Sequence, residues 1–354
     1  MKSRSKNYLY VYSFSFFKIT RYCITEFLST STIMLIGAIF FAQCFTVCLS
    51  YTSKNIHRVE HLRIKTRLPI TMANIPPKSK IVFKGLESWM FQHHLDRKTT
   101  KQLSSLLYVE QFIRILFQYV EDTFVVSNLA SGILVGPQQM PQLYNDLLQS
   151  CEILDITPIP ELYVRQNPIP NAYTLAVRGR KPFIVLHTSI IDLLSPEEVQ
   201  AVLAHELGHL KCEHGLWVTA LNVLVESVNS VGGDIGMFAT LPLKTLLLRW
   251  QQSAEFSCDR AALLVVQDVN IVASVMMKLC GGSSSLASQL DVKSFINQAE
   301  KLEEATKSLS GRATSAVTRN LATHPIPVLR ARELMQWQKS PQYRGLLRRA
   351  EANV

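Results

Sequence analysis

No CxxC pair occurs among the seven cysteines of this 354-residue chain, which stand at Cys23, Cys44, Cys48, Cys151, Cys212, Cys258 and Cys280. An odd count at scattered spacings argues against a disulfide framework and for a body that works in a reducing compartment. Zinc-finger spacing, an aromatic RNA-binding signature and a basic recognition helix are all missing, so the net charge of +10 does not carry a nucleic-acid partner. Acids are scarce at the front: Met1 to Arg58 holds seven Lys or Arg and one acid, Glu26. With 18% charged and 47% hydrophobic residues, the chain is slightly apolar for a soluble enzyme and well short of a polytopic membrane protein. There is no internal repeat.

What is present begins with a leader. Residues 1–75 combine that basic stretch and an uncharged apolar run from Ile33 to Leu49, and pass into a linker, Thr71 to Lys80, around Pro76-Pro77. A run of seventeen residues lies at the short limit for spanning a bilayer. An organelle-import segment, a signal peptide and a membrane anchor all fit, with import placed first because acids are so few. A helical region is expected over 76–155, broken by Gly136-Pro137 and Pro141. The principal domain is expected over 156–345 and a short tail over 346–354. Leu162 to Val164 reads as a strand. Ala172 to Val177 and Phe183 to Leu186 read as a hairpin around a Gly-containing loop.

Ser195-Pro196-Glu197-Glu198 is a helix start, with Ser195 as N-cap, Pro196 at the first helical position and Glu198 completing a capping box. Val199, Val202, Leu203 and Leu207 mark the buried face of that helix, which is expected to end near Gly215. A second long helix is expected from about Leu243 to Val266. Gly281 to Ser285 is a break, and the chain beyond Leu290 turns helical and charged.

The capped helix carries His205-Glu206-Leu207-Gly208-His209, an HExxH pattern. Histidines four apart project from one helical face and can meet at one metal. Glu206 is turned to face a metal-bound water. A catalytic zinc site needs a third protein ligand and an open position. Glu255, in Glu255-Phe256-Ser257-Cys258-Asp259, supplies the ligand, and Asp259, one turn on, can orient a liganding histidine. The alternative is that both are solvated acids beside Arg260. One Zn2+ per chain, a peptide or protein substrate and Glu206 as general base follow from the first of these. His324 can donate to the oxyanion or serve the fold, and His214 is equally open. A second Glu-x-x-His is absent, which argues against a di-iron helical protein.

These residues resemble the gluzincin metallopeptidases that include bacterial HtpX and the CAAX prenyl proteases. Glu255 to Ala262 (EFSCDRAA) is similar to that family's second motif. Asn171-Ala172-Tyr173 is similar to its strand motif, and His324, Pro325 and Arg330 to its C-terminal one. The resemblance runs from about Leu95 to Gln338. It implies an α+β, mainly helical, zincin-type fold with a small three- or four-stranded sheet beside the HExxH helix. It further implies that Asn171, Tyr173 and His324 contact substrate and that Arg330 is a structural ion-pair partner. ELYVRQNPIPNAYTLAVRGRKPFIVLHTS, VQAVLAHELGHLKC and HPIPVLRARE look closest to the plastid, plastoglobule-associated members of plants and algae. That implies a chloroplast location at a membrane or lipid surface, with the mitochondrion or another membrane as the alternative. A catalytically inactive scaffold that keeps the fold is the second function class.

Overall fold

The computed structural model describes residues 80–104, 126, 129–175, 181–215, 248–308 and 325–352, and nine α-helices and four strands are named among these described residues. The strands are β1 (Ile133–Leu134), β2 (Glu161–Arg165), β3 (Ala172–Leu175) and β4 (Phe183–His187). The helices are α1 (His94–Ser104), α2 (Pro141–Ile153), α3 (Thr188–Leu193), α4 (Pro196–Lys211), α5 (248–266), α6 (Val269–Gly281), α7 (Val292–Ala305), α8 (Pro327–Gln338) and α9 (Pro341–Glu351). The fold is α+β and mainly helical, as expected. The leader, with its apolar run, and most of the linker lie outside the described residues. Among the described residues, no helix is long and apolar enough to cross a membrane.

The sheet order is β1-β2-β4-β3. β2 and β4 run parallel, while β3 pairs antiparallel with β4 in the expected hairpin and β1 lies antiparallel on the far side of β2. The register puts Leu162 opposite Ile184 and Val164 opposite Leu186. It puts Ala172 opposite Leu186 and Thr174 opposite Ile184. Alternation along each strand therefore places these six on one face, and its four large apolar members join the hydrophobic core.

α4 is built by its sequence. Ser195 Oγ accepts the amide of Glu198, and Glu198 Oε2 accepts the amide of Ser195 at 2.7 Å, which closes the capping box. Glu198 also pairs with Lys278 at 2.6 Å and accepts the Ser274 hydroxyl, tying the helix start to α6. The predicted face of Val199, Val202, Leu203 and Leu207 is buried. Each such side chain contributes about 1.5–3 kcal/mol of transfer free energy, so the helix cannot easily rotate its histidines away from the core.

The helix ends earlier than expected, at Lys211, and Glu213 adopts a left-handed φ of 55°. A single left-handed residue ends the spiral and turns the chain in a new direction. α9 continues across residue 346, where the tail is expected to begin.

Candidate functional site

α4 and α5 cross at very short range. A Cβ added at Gly208 would lie 2.9 Å from the Cβ of Ala261 and 3.0 Å from the Cα of Cys258. Only hydrogen at position 208 allows that approach, and the approach delivers Glu255 to the histidines. His205 Nε2 lies 3.5 Å from Glu255 Oε2, and His209 Nε2 lies 3.5 Å from Glu255 Oε1. Three donors bound to one zinc at about 2.0–2.2 Å with tetrahedral angles stand about 3.3–3.6 Å apart. The donor set therefore fits the metal that the HExxH pattern implies.

Glu255 is 4% and Asp259 1% exposed, which rules out the reading of two solvated acids. Asp259 Oδ1 lies 3.1 Å from His205 Nδ1, so the far nitrogen of that ring is committed and Nε2 faces Glu255. Arg330, on α8, donates to both oxygens of Asp259 at 2.8 and 2.6 Å and pairs with Glu255 Oε2 at 3.0 Å. Neighbouring Arg260 turns away to Glu333 and to the carbonyls of Phe91 and Gln92.

Charge in the pocket is strongly coupled. Burial disfavours a proton on His205, but Asp259 and Glu255 outweigh it and hold its pKa up at about 10. His209 goes the other way: burial dominates there and lowers its pKa. Burial also opposes the charge on Asp259, yet the Arg330 guanidinium keeps it below the usual carboxylate range. The shifts therefore favour one excess ring proton, on His205, in the metal-free pocket, and an ion would take its place.

Glu206 is buried, and its Oε2 accepts the hydroxyl of Thr174 at 2.6 Å. Thr174 belongs to the β3 face that meets α4. Tyr173 belongs to the opposite face, where its ring stands edge-on to His187 at 6.3 Å. Asn171 precedes β3, and its carbonyl accepts the amide of His187 at 3.0 Å. His324 lies outside the described residues.

Asp96 has no warning in the sequence, and the part played by His214, which the sequence leaves open, becomes visible in the structure. His209 Nδ1 lies 3.1 Å from His214 Nδ1, and His214 Nε2 lies 3.0 Å from Asp96 Oδ2. Ser257 donates to the same Asp96 oxygen at 2.6 Å. Cys258 Sγ also comes within 4.8 Å of a ring nitrogen of both His205 and His209. It lies behind His209, 3.6 Å from His214 Nδ1, and burial pushes its thiol pKa up, so it is a poor thiolate donor. Glu255 remains the third ligand that the geometry favours.

Comparison with known proteins gives the family. The model of Peptidase family M48 matches residues 138–338. The chain is similar to plastoglobule-localized metallopeptidase 48, chloroplastic, of Arabidopsis thaliana, at 45% identity over 289 residues covering 81% of this chain and 82% of that one. It is also similar to protease HtpX homolog 2 of Methanosarcina acetivorans, at 27% identity over 215 residues covering 54% of this chain and 72% of that one. Among solved structures, the crystal structure of S. mikatae Ste24p matches with a TM-score of 0.36 and 16% identity, over 70% of this chain and 66% of that chain.

Proposed function

Since the chain belongs to peptidase family M48 and is a metallopeptidase, we propose that it hydrolyses internal peptide bonds of protein or peptide substrates, with zinc held by His205, His209 and Glu255. The observation that carries this is the Glu255 carboxylate, each oxygen of which stands 3.5 Å from one histidine Nε2. What zinc supplies when bound is Lewis acidity toward a water and the scissile carbonyl.

Glu206 is the general base. It takes the proton of the attacking water and returns it to the leaving amine. The Thr174 hydroxyl holds Oε2, which leaves Oε1 to receive that proton and fixes the carboxylate rotamer. Asp259 accepts from His205 Nδ1–H, so the ring presents a lone pair at Nε2. Arg330 balances the two carboxylates and holds them on one side of the pocket. His324 is the donor to the developing oxyanion.

Among the described residues, β3 is paired on one side only, with β4. An extended peptide can add to its open edge through backbone hydrogen bonds, next to Glu206. Asn171 and Tyr173 contact the substrate there. Such pairing is indifferent to side chains, so cleavage is broad in sequence. The 45% identity to a relative whose name places it in chloroplast plastoglobules supports the same location here, at a lipid surface.

Purified protein assayed on casein and on a quenched fluorescent peptide tests the reading. The wild type is expected to contain one zinc and to hydrolyse both substrates. Glu206→Gln is expected to keep the zinc and lose hydrolysis. Hydrolysis that survives in Glu206→Gln, or protein that binds no zinc, overturns it.

A further inference from the structure

Asp96 is a fully buried carboxylate far in sequence from the HExxH segment, and three side chains, those of Ser257, Thr100 and His214, direct hydrogen bonds at it. The Ser257 hydroxyl accepts the His93 amide at 2.9 Å, so its own hydrogen is free to go to Asp96 Oδ2 at 2.6 Å. The Thr100 hydroxyl accepts Trp250 Nε1–H at 3.1 Å, so its hydrogen goes to Asp96 Oδ1, also at 3.1 Å. His214 Nε2 completes the set at 3.0 Å from Oδ2. An ionised carboxylate only accepts, so this nitrogen of His214 must carry a hydrogen.

The consequence passes through the ring. In a neutral His214 with hydrogen on Nε2, Nδ1 is a lone pair. That lone pair lies 3.1 Å from His209 Nδ1, and two lone pairs do not face each other at that distance. His209 therefore carries its hydrogen on Nδ1, which leaves the Nε2 lone pair for the ion it would share with Glu255, whose Oε1 stands 3.5 Å away. We infer that Asp96 and His214 are positioning residues that select the metal-binding tautomer of His209, through the two hydrogen bonds Asp96–His214 and His214–His209. This rests on the zinc reading above and names residues that no motif contains.

The relay is rigidly made. His214 is 1% exposed, and its ring stands edge-on to Trp250 at 5.9 Å. The left-handed turn at Glu213 brings His214 back against the helix that precedes it. Asp96, Cys212 and His214 approach one another closely enough to suggest a second metal site. Three donors already occupy Asp96, and burial pushes the Cys212 thiol pKa well up, so hydrogen bonding describes this cluster better than coordination.

The test separates an acceptor at the Nδ1 position from a mere partner for Asp96. In His214→Asn the side-chain oxygen sits where Nδ1 was and can still accept from His209. In His214→Gln the amide reaches the Nε2 position and keeps Asp96 company, but leaves His209 without its acceptor. Zinc affinity, measured by chelator competition, is expected to fall about 10- to 100-fold in His214→Gln and in His214→Phe. His214→Asn is expected to stay within a few-fold of wild type. The absorption spectrum of the cobalt-substituted protein should shift in the first two and be kept in the third. Equal losses in Asn and Gln variants, or wild-type zinc affinity in His214→Phe, overturn the relay while leaving the zinc site standing. A wild type that binds no zinc overturns both. Circular dichroism melts of each variant confirm that the affinities compare folded proteins.

Discussion

Thr174 and Glu206, thirty-two residues apart in sequence, are joined by a hydrogen bond of 2.6 Å that runs from a strand hydroxyl to a helix carboxylate. It ties β3, whose outer edge is the proposed substrate side, to the carboxylate proposed as the general base. A bond to a charged group is worth about 1.5–3 kcal/mol. Thr174→Val is therefore expected to lower kcat by roughly 10-fold or more, with zinc content unchanged. Thr174→Ser restores the hydroxyl and should recover most of the rate. Steady-state kinetics on the fluorescent peptide check this; a Val variant with the wild-type kcat counts against a role for the hydroxyl.

Gly208 is a packing requirement. A methyl there meets Ala261 at 2.9 Å and the Cys258 backbone at 3.0 Å, so α4 and α5 must move apart. Overpacking of this kind costs about 1–3 kcal/mol. Gly208→Ala is expected to lose stability in denaturant melts and also to weaken zinc, because Glu255 travels with α5. Adding Ala261→Gly should return part of both losses. Additive effects in the double mutant would mean that the two positions do not share the contact.

Arg330 sits between two buried acids, and removing it leaves both without their guanidinium partner. Breaking a buried ionic cluster by deleting one partner costs about 3–5 kcal/mol. Arg330→Met is expected to melt lower than wild type by more in chelator than in zinc, since the ion offsets part of the missing charge. Melting curves with and without chelator measure the difference. Equal shifts in the two conditions would remove Arg330 from the metal site's electrostatics.

Protons and zinc compete for the pocket. In the metal-free protein His205 holds a proton at neutral pH because its pKa is raised to about 10, while His209, shifted down, does not. Zinc binds only the neutral ring, so acidification favours the proton and disfavours the ion. Binding at pH 8 should release about one proton, and apparent affinity should climb roughly tenfold per pH unit from pH 7 to pH 9. Calorimetry in buffers of different ionisation enthalpy counts the released proton. A pH-independent affinity across that range contradicts the shift on His205.

Which residues can be read from the sequence depends on distance along the chain. His205, Glu206 and His209 are legible because a helix places residues four apart on one face, and Ser195 to Glu198 announces where that helix starts. The sheet is legible at Leu162 to Val164 and in the hairpin because alternation is local. Glu255 and Asp259 are legible as candidates because a zinc site needs a third ligand, but the resemblance is what prefers them to solvated acids and alone picks out Arg330, since nothing in their spacing demands contact with the histidines. Thr174, Asp96 and Ser257 leave no local trace: each is a common polar residue whose role comes from a partner brought near by folding. The early end of α4 is hidden for a different reason. Glu213 takes a positive φ without being Gly or Asn, and no neighbouring residue signals it.

The last contact of the site to be synthesised is Arg330, on a helix near the C-terminal end of the described chain. A chain shorter than this already owns both imidazoles and the Glu255 carboxylate, but it has only the His205 ring to set against two buried carboxylates. Such an intermediate is electrostatically frustrated and poor at organising its own ligands. A chain truncated before residue 330 is therefore expected to hold zinc less tightly and to melt lower than the full chain.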